Sequence, residues 1–300
     1  MKRTVAFVIV LAVGLTGLYF SQRRHDPTPV SANAVVAIAA DAQRDLTRAP
    51  MRLTRLSDDE EIALGKELAA QYSTNPTQLT LEEHALEMYV QRVGDSISLN
   101  AHRRLPYSFH LVPDRTMING FSLPGGPVYI GEGMLDLMTS EDELAAVLAH
   151  EIEHIDHYHC AERVQIEAQL RNLQLGIVGS ILQIPLQVWE AGYNKDEELE
   201  ADREGIRLAV LGGYSPYGAL SMFERFRKLN NEYVIHAESP EEELSQLAIQ
   251  SLQGYFRSHP LPSERLAQAN RLIAQEGWQD RKALRPFRVE YEVKNGEVVQ

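Results

Sequence analysis

Two histidines four residues apart, with a glutamate beside the first, stand at His150-Glu151-Ile152-Glu153-His154. On an α-helix, positions i and i+4 lie about 40° apart and one turn from each other, so both imidazoles can reach one ion. Zinc accepts such nitrogens in tetrahedral geometry, and Glu151 projects beside them to take a proton from a bound water. The chemistry this spacing points to is metal-assisted hydrolysis. A catalytic site of that kind needs a third protein ligand and leaves one position for water. The His-x-x-Gly-x-x-His arrangement does not supply it: His157 stands where its glycine belongs and Cys160 where its histidine belongs.

The acidic run Asp196-Glu197-Glu198-Leu199-Glu200-Ala201-Asp202 is the next source of a ligand. Glu198 and Asp202 are i and i+4, so a ligand and a group that orients the site could project from one face. A solvated acidic helix start, favoured by the helix dipole, has the same composition. Charge alone does not separate the two. His157 lies near the face of His150, but about 10.5 Å further along a straight axis, and His159 is turned roughly 140° from His154. Helical geometry therefore leaves either of them at most a place behind the ligands. Cys160 reads as a small packed residue, since nothing in its neighbourhood predicts a lowered thiol pKa.

These side chains need a helix and something for it to lean on. Ser140-Glu141-Asp142-Glu143 is a capping box, and the expected helix runs from about 141 to 175 as an amphipathic element carrying the paired histidines. Short strands precede it. Tyr107 to Val112 alternates, and residues 118–123 and 128–130 flank the turn signal Pro124-Gly125-Gly126-Pro127, with residues 128–130 expected as an edge strand beside the cleft. Ser57-Asp58-Asp59-Glu60 opens a first helix, and residues 81–97 carry the stripe of a second. Further helices are expected at 194–212, 215–230, 240–254 and 262–275. Asn295-Gly296 predicts a closing hairpin. Residues 173–189 are apolar, but three glutamines and Pro185 favour a buried or partner-facing helix over a membrane span.

Five stretches together resemble the CAAX prenyl protease family of zinc metallopeptidases. Four are Glu60-Glu-Ile-Ala-Leu-Gly65, Ile118-Asn-Gly-Phe-Ser-Leu-Pro-Gly-Gly126, Glu143-Leu-Ala-Ala-Val-Leu-Ala-His-Glu-Ile-Glu-His154 and Glu198-Leu-Glu-Ala-Asp202. The fifth, Ser258-His-Pro-Leu-Pro-Ser-Glu-Arg265, is similar to the family's bacterial periplasmic branch. The resemblance implies a mainly helical α+β, zincin-like fold with a small sheet beside the active-site helix. It implies one Zn2+ per chain on His150, His154 and Glu198, with Glu151 as general base and Asp202 orienting the site or donating a proton. It also implies that His259 can occupy the fourth position of the metal, with Arg265 nearby. Two departures bear on partner choice more than on chemistry. Gly120 follows Asn119 where the family usually has alanine, and the branch's tetratricopeptide array has no counterpart here.

Composition narrows the partners. A formal charge of −13 argues against nucleic acid, whose phosphates call for a Lys/Arg surface. A single cysteine excludes an internal disulfide. Lys2 and Arg3, the uncharged apolar run over residues 4–20, then Arg23 and Arg24, read as a signal peptide or an uncleaved signal anchor. The run reaches roughly 26 Å, just short of a bilayer core of about 30 Å. The expected layout is a signal anchor or signal peptide over 1–24, a linker over 25–55 with a short helix near 35–46, the metallopeptidase domain over 56–277 and a hairpin extension over 278–300. The reading is an exported metalloendopeptidase acting on unfolded polypeptides, on the periplasmic side of the inner membrane, anchored there or soluble if the signal is cleaved. Its alternative is a tethered chaperone with a closed zinc site, which would have no use for Glu151.

Overall fold

Ser57 caps α1 (Asp58–Ala69) and Thr80 caps α2 (Leu81–Ser98), and Glu60 and Glu83 close both capping boxes by accepting from the cap amides. Each box satisfies amide donors that a helix start otherwise leaves without partners. The computed structural model describes residues 55–70, 79–170, 193–232, 263–289, 292–294 and 297–299, all within one compact unit, Arg55–Gln300. The N-terminal apolar run, the helices expected near 35–46 and 240–254, the apolar stretch 173–189 and His259 lie outside the described residues. No described helix is long and apolar enough to cross a membrane.

Three strands follow α2: β1 (Ser108–Val112), β2 (Gly120–Ser122) and β3 (Pro127–Gly131). Their order is β1-β3-β2, with β3 parallel to β1 and antiparallel to β2. The expectation of an edge strand at residues 128–130 is therefore wrong. Val128 faces Phe109 on one side and Ser122 on the other. Its physical sign was its unbroken apolar character: a strand covered on both faces reads as a continuous apolar run, and Val128 and Ile130 are 0% exposed. Gly125 and Gly126, at φ 77° and 134°, make the turn that folds β3 back onto β2. The edge beside the candidate site is β2.

After the short α3 (Glu132–Asp136), a third capping box of Ser140 and Glu143 starts α4 (Glu141–Asp156). This helix is buried all round, with every residue from Asp142 to Asp156 inside the protein, so it is not the amphipathic element expected from its pattern. Its acids are tolerated because backbone amides reach them. Asp142 accepts from Ser215 (2.6 Å) and Arg285 (2.5 Å), and Asp156 accepts from His102 and Arg103 (2.7 Å each). The same bonds tie three separate loops to the helix ends.

The helix also stops early. It ends at Asp156 rather than running to 175, because Tyr158 takes φ 64°, and α5 (His159–Leu170) begins just beyond. A left-handed tyrosine costs on the order of 1–3 kcal/mol and persists only where its surroundings impose it. Here two guanidiniums clamp the ring, Arg55 at 3.8 Å and Arg103 at 3.7 Å from its centroid. Arg103 is itself held by Asp58 (2.6 Å), Glu61 (3.1 Å) and the carbonyl of Ile155 (2.8 Å).

Asn194 and Glu197 cap α6 (Lys195–Leu211), which lies along α4; α7 (Tyr217–Glu232) and α8 (Ser263–Gln275) complete that side. Phe287 and Val289, after α8, pack on the main core. The hairpin pairs β4 (Glu292–Lys294) with β5 (Glu297–Val299), Lys294 opposite Glu297, in line with the expected two-residue turn.

The approach of α6 to α4 is set at Gly205, where an added methyl would meet the His150 backbone nitrogen at 3.0 Å. Gly205→Val is expected to cost about 1–3 kcal/mol by overpacking and to weaken metal binding by prising the two ligand helices apart. At Gly120 the nearest atom to an added methyl is 3.5 Å away, so Gly120→Ala should leave stability and metal binding intact. Urea titration and metal analysis of both variants check the contrast.

Candidate metal centre

Helix α4 presents His150 and His154 one turn apart, and α6 brings Glu198 against them. The two Nε2 atoms are 3.0 Å apart, and the Glu198 carboxylate lies 3.6 Å from His150 Nε2 and 3.5 Å from His154 Nε2. All three ligand atoms fall within 4.8 Å of one another, and all three residues are buried. Tetrahedral ligands at 2.0–2.1 Å from zinc are about 3.3 Å apart. Two nitrogens 3.0 Å apart, with Glu198 Oε2 3.6 Å from one and Oε1 3.5 Å from the other, fit that polyhedron in chemistry and approximate size.

Asp202, one turn after Glu198, meets His150 Nδ1 at 3.0 Å. Burial would push its carboxyl up, but the charge of Arg265 and hydrogen bonds from His150 and Arg265 outweigh burial and hold it down at about 2. Asp202 is therefore an anion at neutral pH. It accepts the Nδ1 proton of His150 and turns Nε2 of that ring toward Glu198. Arg265, from α8, is 1% exposed. Its Nε and Nη2 bond Asp202 at 2.5 Å each, and its Nη1 lies 3.1 Å from Glu198. The arginine expected near the site thus spans both carboxylates of α6.

Glu151 is 1% exposed, and its Oε2 accepts from Ser122 Oγ at 2.9 Å. Ser122 also touches Cys160 Sγ at 3.3 Å, and Cys160 touches the Tyr193 hydroxyl at 3.3 Å. Burial pushes the Cys160 thiol up to about 12, so it stays protonated and packs, as its sequence context suggests. Tyr193 stacks on His154, with ring centroids 3.7 Å apart and 13° between planes. Beside His150 and Asp202 opens an apolar pocket lined by Ala146, Val147, Ile206, Met222, Phe223 and Phe226.

Of the remaining histidines, His157 turns away and bonds Glu153 at 3.1 Å. His159 does the opposite of what a straight helix predicts: the break at Tyr158 brings its Nδ1 to 2.9 Å from His154 Nδ1. Ser122, Tyr193 and Gly205 were missed from sequence. Ser122 sat inside a recognised strand motif with no sign that it faced Glu151. Tyr193 and Gly205 carry no local signal at all, since each matters through contacts with distant helices.

Glu197 is spent on its own capping box with Asn194, where it accepts from the cap amide at 3.0 Å. Glu198→Ala should therefore lose bound metal, whereas Glu197→Ala should keep a wild-type metal content with only the roughly 0.5–2 kcal/mol loss of a cap. Metal content per chain and thermal melting separate the two effects.

Residues 80–273 match the model of peptidase family M48. Over 233 residues the chain is 29% identical to the beta-barrel assembly-enhancing protease of Yersinia pestis, covering 71% of this chain and 44% of that protein. It is 32% identical over 150 residues to the mitochondrial metalloendopeptidase OMA1 of Schizosaccharomyces pombe, covering 47% of this chain and 44% of that one. Similarity to metalloprotease LoiP of Escherichia coli strain K12 is 24% over 213 residues, 67% of this chain and 79% of that one. The chain spans under half the length of the first two relatives. The family interval holds every residue of the site from Ser122 to Arg265 and extends over well more than half of the sequence; the chain belongs to peptidase family M48.

Proposed function

We propose that this chain is an exported zinc metalloendopeptidase that hydrolyses peptide bonds in unfolded or misassembled envelope proteins. The observation that carries the reading is the convergence of His150, His154 and Glu198 with Glu151 buried beside them. A site built only to hold the fold together would need no carboxylate base. When bound, zinc supplies Lewis acidity, polarising a peptide carbonyl and lowering the pKa of water at its open position to about 7.

The protein's own groups do the rest. Glu151, fixed by the Ser122 hydroxyl, accepts a proton from the attacking water as the new C–O bond forms. It then returns that proton to the amide nitrogen as the C–N bond breaks, so the carboxylate is regenerated. Asp202 keeps the His150 ring in one orientation, and Arg265 keeps Asp202 ionised. The outer edge of β2, next to Ser122, offers backbone groups with which an extended substrate pairs. The apolar pocket beside His150 takes an apolar side chain near the scissile bond. Both features favour unfolded chains, which expose apolar side chains and unpaired backbone together.

The Yersinia pestis relative, a beta-barrel assembly-enhancing protease, and the apolar run at residues 4–20 support an envelope location, and in this reading the run stays uncleaved as a tether. The mass of the native N-terminus tests the tether. Residues 1–24 retained in the membrane fraction are expected, and a mature chain starting near Val35 would mean a cleaved signal.

Glu151→Gln should retain zinc and lose casein cleavage by about 10²–10⁴-fold, the typical contribution of a positioned general base. Near-normal cleavage by the zinc-loaded variant would overturn the assigned chemistry.

A further inference from the structure

A metal-bound imidazole has two nitrogens, and whatever holds the outer one decides where the inner one points. For His150 the outer nitrogen meets Asp202. For His154 it meets a second histidine. His154 Nδ1 and His159 Nδ1 are 2.9 Å apart, with His154 0% and His159 5% exposed. Two ring nitrogens at that distance share one proton, so one must donate and the other accept. His154 offers Nε2 toward His150 and Glu198, which leaves its proton on Nδ1. His159 Nδ1 must then be the bare acceptor, with the His159 proton on Nε2. That Nε2 lies 3.5 Å from Glu200 Oε2, within ion-pair distance. The carboxylate of Glu200 thus selects the tautomer of His159, and His159 in turn selects that of His154.

The arrangement exists only because α4 breaks. On a continuous helix His159 would point roughly 140° away from His154. Tyr158 at φ 64°, pressed between Arg55 and Arg103, resets the direction and brings His159 behind His154, onto its outer nitrogen. Tyr193, stacked flat on His154, blocks the ring from swinging out of the line of this bond.

We infer that His159 is a positioning residue of the metal centre, fixing the tautomer and orientation of His154 through Nδ1, with Glu200 behind it. The inference rests on the assignment of His154 as a ligand. It distinguishes His159 from His157, which bonds Glu153 and lies 3.9 Å from Glu200 Oε1.

The test is the zinc dissociation constant of the full chain, measured by competition with a chromophoric chelator, for wild type, His159→Leu and His159→Asn. Asparagine places an amide oxygen where Nδ1 stands and can accept from His154; leucine fills the space and cannot. His159→Leu should weaken zinc binding about 10–100-fold, as expected on losing such a partner. His159→Asn should stay within about threefold of wild type, and the metal-free melting temperatures of the two variants should agree. Equal affinities across all three proteins would overturn the inference. So would equal losses in His159→Asn and His159→Leu, which would mean that packing alone matters. If His159→Leu does not fold, His159→Gln takes its place, since it sets the same amide one methylene further out, and the same criterion applies. His154→Ala is measured alongside. Wild-type affinity in that variant would remove the ligand assignment itself and the role of His159 with it, an outcome distinct from a failure confined to position 159.

Discussion

Arg265 carries the positive charge that lets two carboxylates sit one turn apart inside the protein. Unpaired, a single buried carboxylate costs several kcal/mol, and Glu198 and Asp202 on one helix face would also repel each other. The guanidinium answers both with its planar fork, binding Asp202 twice and Glu198 once while almost fully buried itself. A lysine could offer the charge but not the geometry. Because Arg265 comes from α8 and the carboxylates from α6, the site closes only when α8 docks on α6 and α6 on α4. The candidate site and the tertiary fold are therefore one cooperative object.

The same logic governs α4. A helix with no solvent-facing side needs internal partners for its acids, and Asp142, Glu143 and Asp156 find them by acting as anchors. Asp142 gathers the α6–α7 loop and the chain after α8, while Asp156 gathers the loop after α2. Glu143 accepts from the amides of Thr139 and Ser140 and from the Ser221 hydroxyl, with Arg225 3.0 Å away. Buried polar groups that are fully bonded make a rigid frame. A hydrolytic site benefits from such a frame, because its ligands and base must already stand in the productive geometry when substrate arrives.

Much of this was legible along the chain because it depends on local rules. Ser57, Thr80 and Ser140 with their partner glutamates mark helix starts through bonds that span only three residues. His150 and His154 meet because a helix repeats every 3.6 residues, and Glu198 and Asp202 share a face for the same reason. The place of β3 in its sheet was misjudged because pairing is decided by partners far along the chain, and a three-residue apolar run does not say how many neighbours it will have. Ser122, Tyr193 and Gly205 stayed hidden for a related reason: each has an ordinary local context and matters through long-range contacts.

His159 shows where the division falls. The sequence by itself determined the residue types and, through helical periodicity, which of them meet within one helix. It also determined the helix starts, and the motif order that identified the family. It could not determine that α4 would end at Asp156, because the signal for that ending is a strained tyrosine held by two arginines from separate segments. Periodicity holds only while the helix is continuous. Once a distant contact breaks it, the direction of every later side chain is reset, and only the folded chain decides which of them reach the site.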